Sequence, residues 1–278
     1  MLHHVYQKCE RADAETIVLI HGFGGDHRVW KKQIAWLQEQ YHVLAIDLPS
    51  HSEGNIKLSQ IPVTLDSIAR QITQVMDHYG LKKCMFMGVS LGTVFVKYLE
   101  VFYPEYVSIG VLVGTMARVN ILLRSITDLF SRIGDKLPFG AVYHLFSWII
   151  MPGRRCTKSR SIFRDCAKAL NEIEFKHYMK IFREAFRFNN LFKKLHHAEN
   201  IYISGTRDRC FKNGARNEAA STFARFIWMH GSGHVCNIDK RQQFDAILSA
   251  ILRQKAHLEE QAARMHIHLH LPHPHTAV

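Results

Sequence analysis

The chain has 278 residues, 47% of them hydrophobic and 22% charged, a balance that excludes a disordered or fibrous polymer and allows a sizeable core. Thirty-six Lys and Arg against 24 Asp and Glu give a formal charge of +12, which leaves anionic lipid, nucleic acid or an acidic carrier as candidate partners. The longest apolar runs, such as Ile17–Ile20 and Val111–Val113, are strand-sized and far short of the ~20 residues a membrane-spanning helix needs.

The first ten residues carry no basic segment followed by an apolar stretch, so no secretory signal is expected and a cytoplasmic location is. His3–Cys9 reads as an antiparallel leading strand. Thr16–Ile20 is an apolar, β-branched run that ends on His21-Gly22-Phe23-Gly24-Gly25. Trp30, Ile34 and Leu37 then share one helical face, and His42–Ile46 reads as the next strand, followed by Asp47-Leu48-Pro49-Ser50-His51-Ser52. Ile68, Ile72, Val75, Met76 and Tyr79 repeat at helical spacing before Gly80 closes that helix. The strand Lys83–Met87 leads into Gly88-Val89-Ser90-Leu91-Gly92, with a helix-like Thr93–Phe102 behind it and a further strand at Ser108–Val113. Short buried-looking strands alternating with amphipathic helices predict an α/β fold with a mostly parallel sheet covered on both faces.

The alternation breaks at residue 116. From there to 196 the apolar spacing is helical (Leu122, Ile126, Leu129, Phe130; Ile173, Tyr178, Ile181, Phe182, Phe186) and no strand is legible, so a helical cap inserted between two late strands is expected. Its aromatic density suggests exposed rings on a lid. Its basic residues, among them Arg154, Arg155, Lys158, Arg160, Arg164 and Lys168, read first as a solvated helical face and second as a contact for anionic lipid surfaces. Strands resume at Asn200–Ser204 and Ala224–Met229, giving core segments 1–115 and 197–260. Residues 261–278 are rich in histidine (His266, His268, His270, His273, His275) with Pro272 and Pro274, a composition that predicts disorder rather than a metal site. The six cysteines are scattered without Cys-x-x-Cys spacing, so reduced, packed thiols are expected and no zinc site.

Three strand ends carry the chemistry. Gly88-x-Ser90-x-Gly92 places a serine on a sharp strand-to-helix turn, where small neighbours let helix and strand approach. A serine hydroxyl needs a base, and the base needs an orienting group. Asp208 follows the strand Asn200–Ser204, and His234, in Gly231-Ser232-Gly233-His234, follows the strand ending near Met229. The order Ser90, Asp208, His234 therefore predicts nucleophile, carboxylate and base. The His21-Gly22 loop is expected to supply one oxyanion donor through the Phe23 amide, and Leu91, the residue after the nucleophile, the other. Neither a Gly-x-Gly-x-x-Gly fingerprint nor a phosphate-loop Lys-Ser/Thr pair occurs, so no cofactor is expected.

Taken together, His21-Gly-Phe-Gly-Gly, Asp47-Leu-Pro-Ser-His-Ser, Gly88-Val-Ser-Leu-Gly and Gly233-His234 resemble the α/β-hydrolase superfamily, in its capped serine-hydrolase or esterase form, over nearly the whole chain. The resemblance implies hydrolysis of a carboxylic ester or thioester with an apolar acyl group. It also admits a carbon–carbon bond hydrolase acting on a vinylogous diketone. Superfamily members with an aspartate nucleophile are disfavoured by Ser90. Where that superfamily commonly carries Asp-x-Pro-Gly-His-Gly, this chain has serine at both glycine positions, Ser50 and Ser52. A binding or regulatory protein on the same scaffold is the third reading. A nucleic-acid role has charge in its favour but no recognised motif.

Overall fold

The computed structural model describes residues 1–117, 125, 139–166, 170–195 and 200–264, in two compact units, Met1–Lys240 and Arg241–Val278. The expected helical residues Leu122, Ile126, Leu129 and Phe130, together with Lys168 and the histidine-rich tail, lie outside the described residues.

In the first unit seven strands form one sheet: β1 His4–Gln7, β2 Thr16–Ile20, β3 His42–Ile46, β4 Cys84–Val89, β5 Val107–Val113, β6 Asn200–Gly205 and β7 Arg225–Met229. Their order is β1-β3-β2-β4-β5-β6-β7. Only the leading strand β1 runs antiparallel, paired with β3, and every other pairing is parallel. All residues of β2 and β4 are buried, which explains why these strands read as continuous apolar runs: both faces are covered. From β2 the chain moves outward to β3, then crosses back to start β4 on the other side of β2. That reversal opens a crevice at the carboxyl ends of β2 and β4, where ligands bind in open parallel sheets. The two motif-bearing loops, at His21 and Ser90, sit there.

The helices follow from the sequence in the same way. After the turn His27–Trp30 comes α1, Lys31–Leu37, and the Trp30 indole ahead of it is fully buried. In α2, Leu65–His78, the Thr64 hydroxyl accepts the Ser67 amide at 3.1 Å and so satisfies one of the donors a helix start leaves open. Its buried face is Leu65, Ile68, Ile72, Val75 and Met76, the expected stripe, each side chain contributing about 1.5–3 kcal/mol on burial. Helix α3, which begins directly after Ser90, spans Leu91–Phe102.

Between β5 and β6 lie α4 Phe139–Ile150, α5 Thr157–Cys166 and α6 Glu172–Leu195. Of their aromatics Trp148 is exposed, as the lid reading expected, but most are not. Phe146, Phe175, Tyr178, Phe182, Phe188 and Phe192 are buried, because the rings pack on one another and on Phe23 from the β2 loop. Arg160 also leaves the expected basic face: its guanidinium is buried over the Trp148 ring and donates to the carbonyls of Met151 and Gly153. Arg154, Lys158 and Arg164 remain exposed. Helix α7, Lys212–Ser221, and a single helical turn, Cys236–Asp239, complete the unit. The second unit contains α8, Arg241–Arg264, which carries an Arg241–Asp245 ion pair at 3.0 Å one turn apart. Among the described residues no helix is long and apolar enough to cross a membrane.

Candidate active site

Ser90 sits between β4 and α3 with φ 53° and ψ −117°, a backbone that an L side chain rarely adopts. The turn is possible because its flanks carry no side chains. A Cβ on Gly88 would stand 2.6 Å from the backbone of Gly92, and one on Gly92 would run into the carbonyl oxygen of Ile20. The geometry lifts Ser90 Oγ into the crevice, where it lies 2.8 Å from His234 Nε2. His234 Nδ1 is 2.7 Å from Asp208 Oδ2. The other carboxylate oxygen of Asp208 accepts the amides of Cys210 and Phe211, each at 3.0 Å, so both oxygens are engaged and the side chain has one orientation. Those bonds set the tautomer: Nδ1 carries the proton toward Asp208 and Nε2 is left to accept from Ser90. His234 is 2% exposed and Asp208 1%, so the pair is shielded from water while Ser90 opens to a cavity.

Thus the structure brings Ser90, His234 and Asp208 into one hydrogen-bonded line from β4, β7 and β6. It also places the two expected oxyanion residues beside it. Leu91 opens α3, and its amide is among the four that a helix leaves without an internal acceptor. Phe23 lies in the loop against Ser90: a Cβ on the adjoining Gly22 would stand 2.9 Å from Ser90 Cβ.

That loop is held by two histidines whose role the sequence did not reveal. His21 donates from Nδ1 to the Gly22 carbonyl at 2.7 Å and accepts the Leu48 amide at Nε2 at 2.8 Å. His51 donates to the Pro49 carbonyl at 2.8 Å and accepts the Gly24 amide at Nε2 at 2.9 Å. Complete burial pulls both imidazoles below their ordinary pKa, His51 to about 3, so each is neutral and able to accept. Neighbouring Asp47 is buried and shared by the His27 amide and the His3 and His27 rings. Its carboxyl is held well below the usual range: these bonds and the nearby imidazoles outweigh burial, which alone would raise it.

Ser50, one of the two departures from the glycine pattern, takes a left-handed φ of 66° that glycine adopts without strain. The serine is retained by what its hydroxyl does there: it accepts the Leu58 amide at 2.8 Å and donates to Glu174 of α6. The Ser59 hydroxyl binds the same carboxylate, and Tyr178 donates to the Pro49 carbonyl at 2.7 Å. These contacts tie α6 to the loop after β3.

A cavity opens over Ser90 and His234. Its walls are apolar, with Phe23, Met116, Phe146, Phe163, Phe182 and Phe211 among them, and Ser159 adds a hydroxyl. Among the described residues, one cluster of potential metal ligands occurs, His3, His27 and Asp47. Its Nδ1-to-carboxylate separations of 2.7 and 2.9 Å are those of direct hydrogen bonds. Two donors on a tetrahedral cation would stand about 3.4 Å apart. The six thiols are free, and burial raises those of Cys84, Cys156, Cys166, Cys210 and Cys236 above the ordinary thiol value.

Comparisons with known proteins bear on the fold. The profile of the α/β hydrolase fold family matches residues 15–143, from just before β2 into α4. RutD of Pseudomonas syringae pv. syringae (strain B728a), named as a candidate carbamate hydrolase, is 29% identical over 119 residues, which are 42% of this chain and 45% of that protein. RutD of Escherichia coli O9:H4 (strain HS) is 24% identical over 274 residues, 90% of this chain and 96% of the relative. The chain thus matches less than half the length of the first of these relatives and nearly all of the second. Among solved structures, the enol-lactonase of Burkholderia xenovorans LB400 superposes with a TM-score of 0.74 at 19% identity, covering 91% of this chain and 96% of that one. The family profile covers β2 through the serine turn, and the sheet continues beyond it, so the chain has the α/β-hydrolase fold.

Proposed function

We propose that the chain is a serine hydrolase that cleaves a carboxylic ester or thioester with an apolar acyl group. The observation that carries this reading is the unbroken hydrogen-bonded line from Ser90 through His234 to Asp208, with Ser90 on a left-handed backbone at the mouth of an apolar cavity. Ser90 Oγ attacks the carbonyl carbon and its proton passes to His234 Nε2. The imidazolium then protonates the leaving oxygen or sulfur, and an acyl-serine remains. Water attacks that ester, again giving its proton to His234, and Ser90 is released with the acid. The amides of Phe23 and Leu91 hold the negative oxygen of each tetrahedral intermediate. Asp208 keeps the imidazole in the competent tautomer and offsets its positive charge. The aromatic cavity wall supports an acyl chain or ring.

Short p-nitrophenyl esters and a fluorophosphonate label test the reading. Wild type is expected to turn over the esters and to take the label on Ser90, and Ser90→Ala to do neither while keeping its fold. Equal turnover in wild type and Ser90→Ala refutes it. Cleavage of a vinylogous diketone without any ester turnover would transfer the same residues to carbon–carbon bond hydrolysis.

A further inference from the structure

The loop that carries His234 is fastened by a carboxylate that the reaction itself does not use. Asp239, at the end of the helical turn Cys236–Asp239, turns its side chain back and accepts the Gly233 amide at 3.2 Å. Its own amide donates to the Val235 carbonyl at 2.9 Å. His234 is therefore held between two residues that are both bonded to Asp239. The same carboxylate receives two donors from the inserted helices: the Ser159 hydroxyl of α5 and the Cys156 thiol just before α5, at 3.8 Å. Packing is close: a Cβ on Gly233 would stand 2.5 Å from Asp239 Oδ2 and 2.8 Å from Cys156 Sγ, so these side chains would have to shift. Burial raises the Asp239 carboxyl above its ordinary value, while the Ser159, Gly233 and Cys156 donors and the His234 charge oppose that shift. Ser159 also lines the cavity.

We infer that Asp239 is a positioning residue that couples the seating of α5 over the cavity to the alignment of His234 against Ser90. The inference rests on the serine-hydrolase reading. A displaced α5 withdraws two of the donors that orient the carboxylate, the carboxylate loosens its hold on Gly233, and the imidazole loses its 2.8 Å approach to Ser90. A substrate that fills the cavity against Ser159 reinforces the aligned state, so the base is fully set only with α5 in place.

The test compares wild type, Asp239→Asn, Ser159→Ala and the double variant on p-nitrophenyl butyrate, with circular dichroism melting as the control for fold. Asparagine keeps the volume of Asp239 but not its capacity to accept three donors. Asp239→Asn is expected to lower kcat at least tenfold with KM within threefold, and to slow fluorophosphonate labelling of Ser90 by a similar factor. Ser159→Ala is expected to lower kcat three- to tenfold, and the double variant to be no slower than Asp239→Asn, because both changes break one linkage. Asp239→Asn with kcat within twofold of wild type overturns the inference, as do losses that multiply in the double variant. If Asp239→Asn fails to fold, Ser159→Ala combined with Cys156→Ala decides, and unchanged kcat there overturns it. Wild type that neither turns over esters nor takes the label defeats the serine-hydrolase reading, before any variant is compared.

Discussion

Replacing Lys97 with methionine is expected to destabilise the protein by about 3–5 kcal/mol, the loss typical when one partner of a buried ion pair is removed. Lys97 lies on α3 and is completely buried, and its ammonium makes three bonds: to Glu218 at 2.8 Å, to Asn189 at 2.7 Å and to the Met116 carbonyl at 3.2 Å. Those partners sit on α7, on α6 and just after β5, so one charge joins the nucleophile helix to the inserted helices and the sheet. Methionine fills the same space but leaves the Glu218 carboxylate buried at 1% exposure, with the Tyr202 hydroxyl still donating to it at 3.1 Å. At about 2–4 °C per kcal/mol for a domain of this size, the melting temperature should fall by about 6–20 °C. The double variant Lys97→Met/Glu218→Leu removes both charges and should recover most of that loss, since a buried pair contributes little over an apolar replacement of similar volume. Thermal melting at pH 7 by circular dichroism measures all three proteins. A Lys97→Met protein within 1 kcal/mol of wild type, or a double variant less stable than the single, would refute the reasoning.

Asp208→Asn should preserve the fold and reduce kcat by about 10⁴, because an amide nitrogen facing Nδ1 selects the wrong imidazole tautomer; kcat within tenfold of wild type contradicts that role. Ser50→Ala loses the bonds to Leu58 and Glu174 and should destabilise the protein by about 1–3 kcal/mol, read as a shift in urea midpoint without a change in slope. Stability should also fall in acid through His51. Its folded-state pKa of about 3 lies below the unfolded value near 6.5, so its contribution is complete above pH 6.5 and is lost as pH falls toward 3, at about 1.4 kcal/mol per pH unit. His51→Gln, which offers a donor and an acceptor without titrating, should flatten that part of the stability profile; an unchanged slope would assign the acid loss to other groups.

The central strands were legible because their residues had to be apolar on both faces, and the seven strand positions follow the reading to within two residues. Lys83 was read into β4, but its φ of 53° keeps it out of the ladder, a conformation no composition rule announces for lysine. Ser90, Asp208 and His234 could be proposed because each follows a strand. Asp239, Ser159, His21 and His51 could not, since each acts through a partner distant in sequence or through a backbone amide, and neither leaves a periodic trace. The rings of α4 and α6 show the same limit: helical spacing identifies a face, but only the position of Phe23 tells whether that face meets water or protein. Ser50 read as a departure from a glycine pattern, and its reason lay 124 residues away in Glu174.

The strand order also governs when the site comes into being. Ser90, Leu91 and Phe23 belong to the first third of the chain, whereas Asp208 and His234 lie beyond the inserted helices and are brought alongside only when β6 and β7 add to the growing edge after β5. Such long-range pairing is slow to form, and during synthesis the amino-terminal part emerges first. On the proposed serine-hydrolase reading, a nascent or truncated chain that ends before β7 carries its serine without a base and should not react. The onset of labelling at Ser90 during refolding would time the docking of the last strand, and it would do so at a residue that precedes His234 by 144 positions.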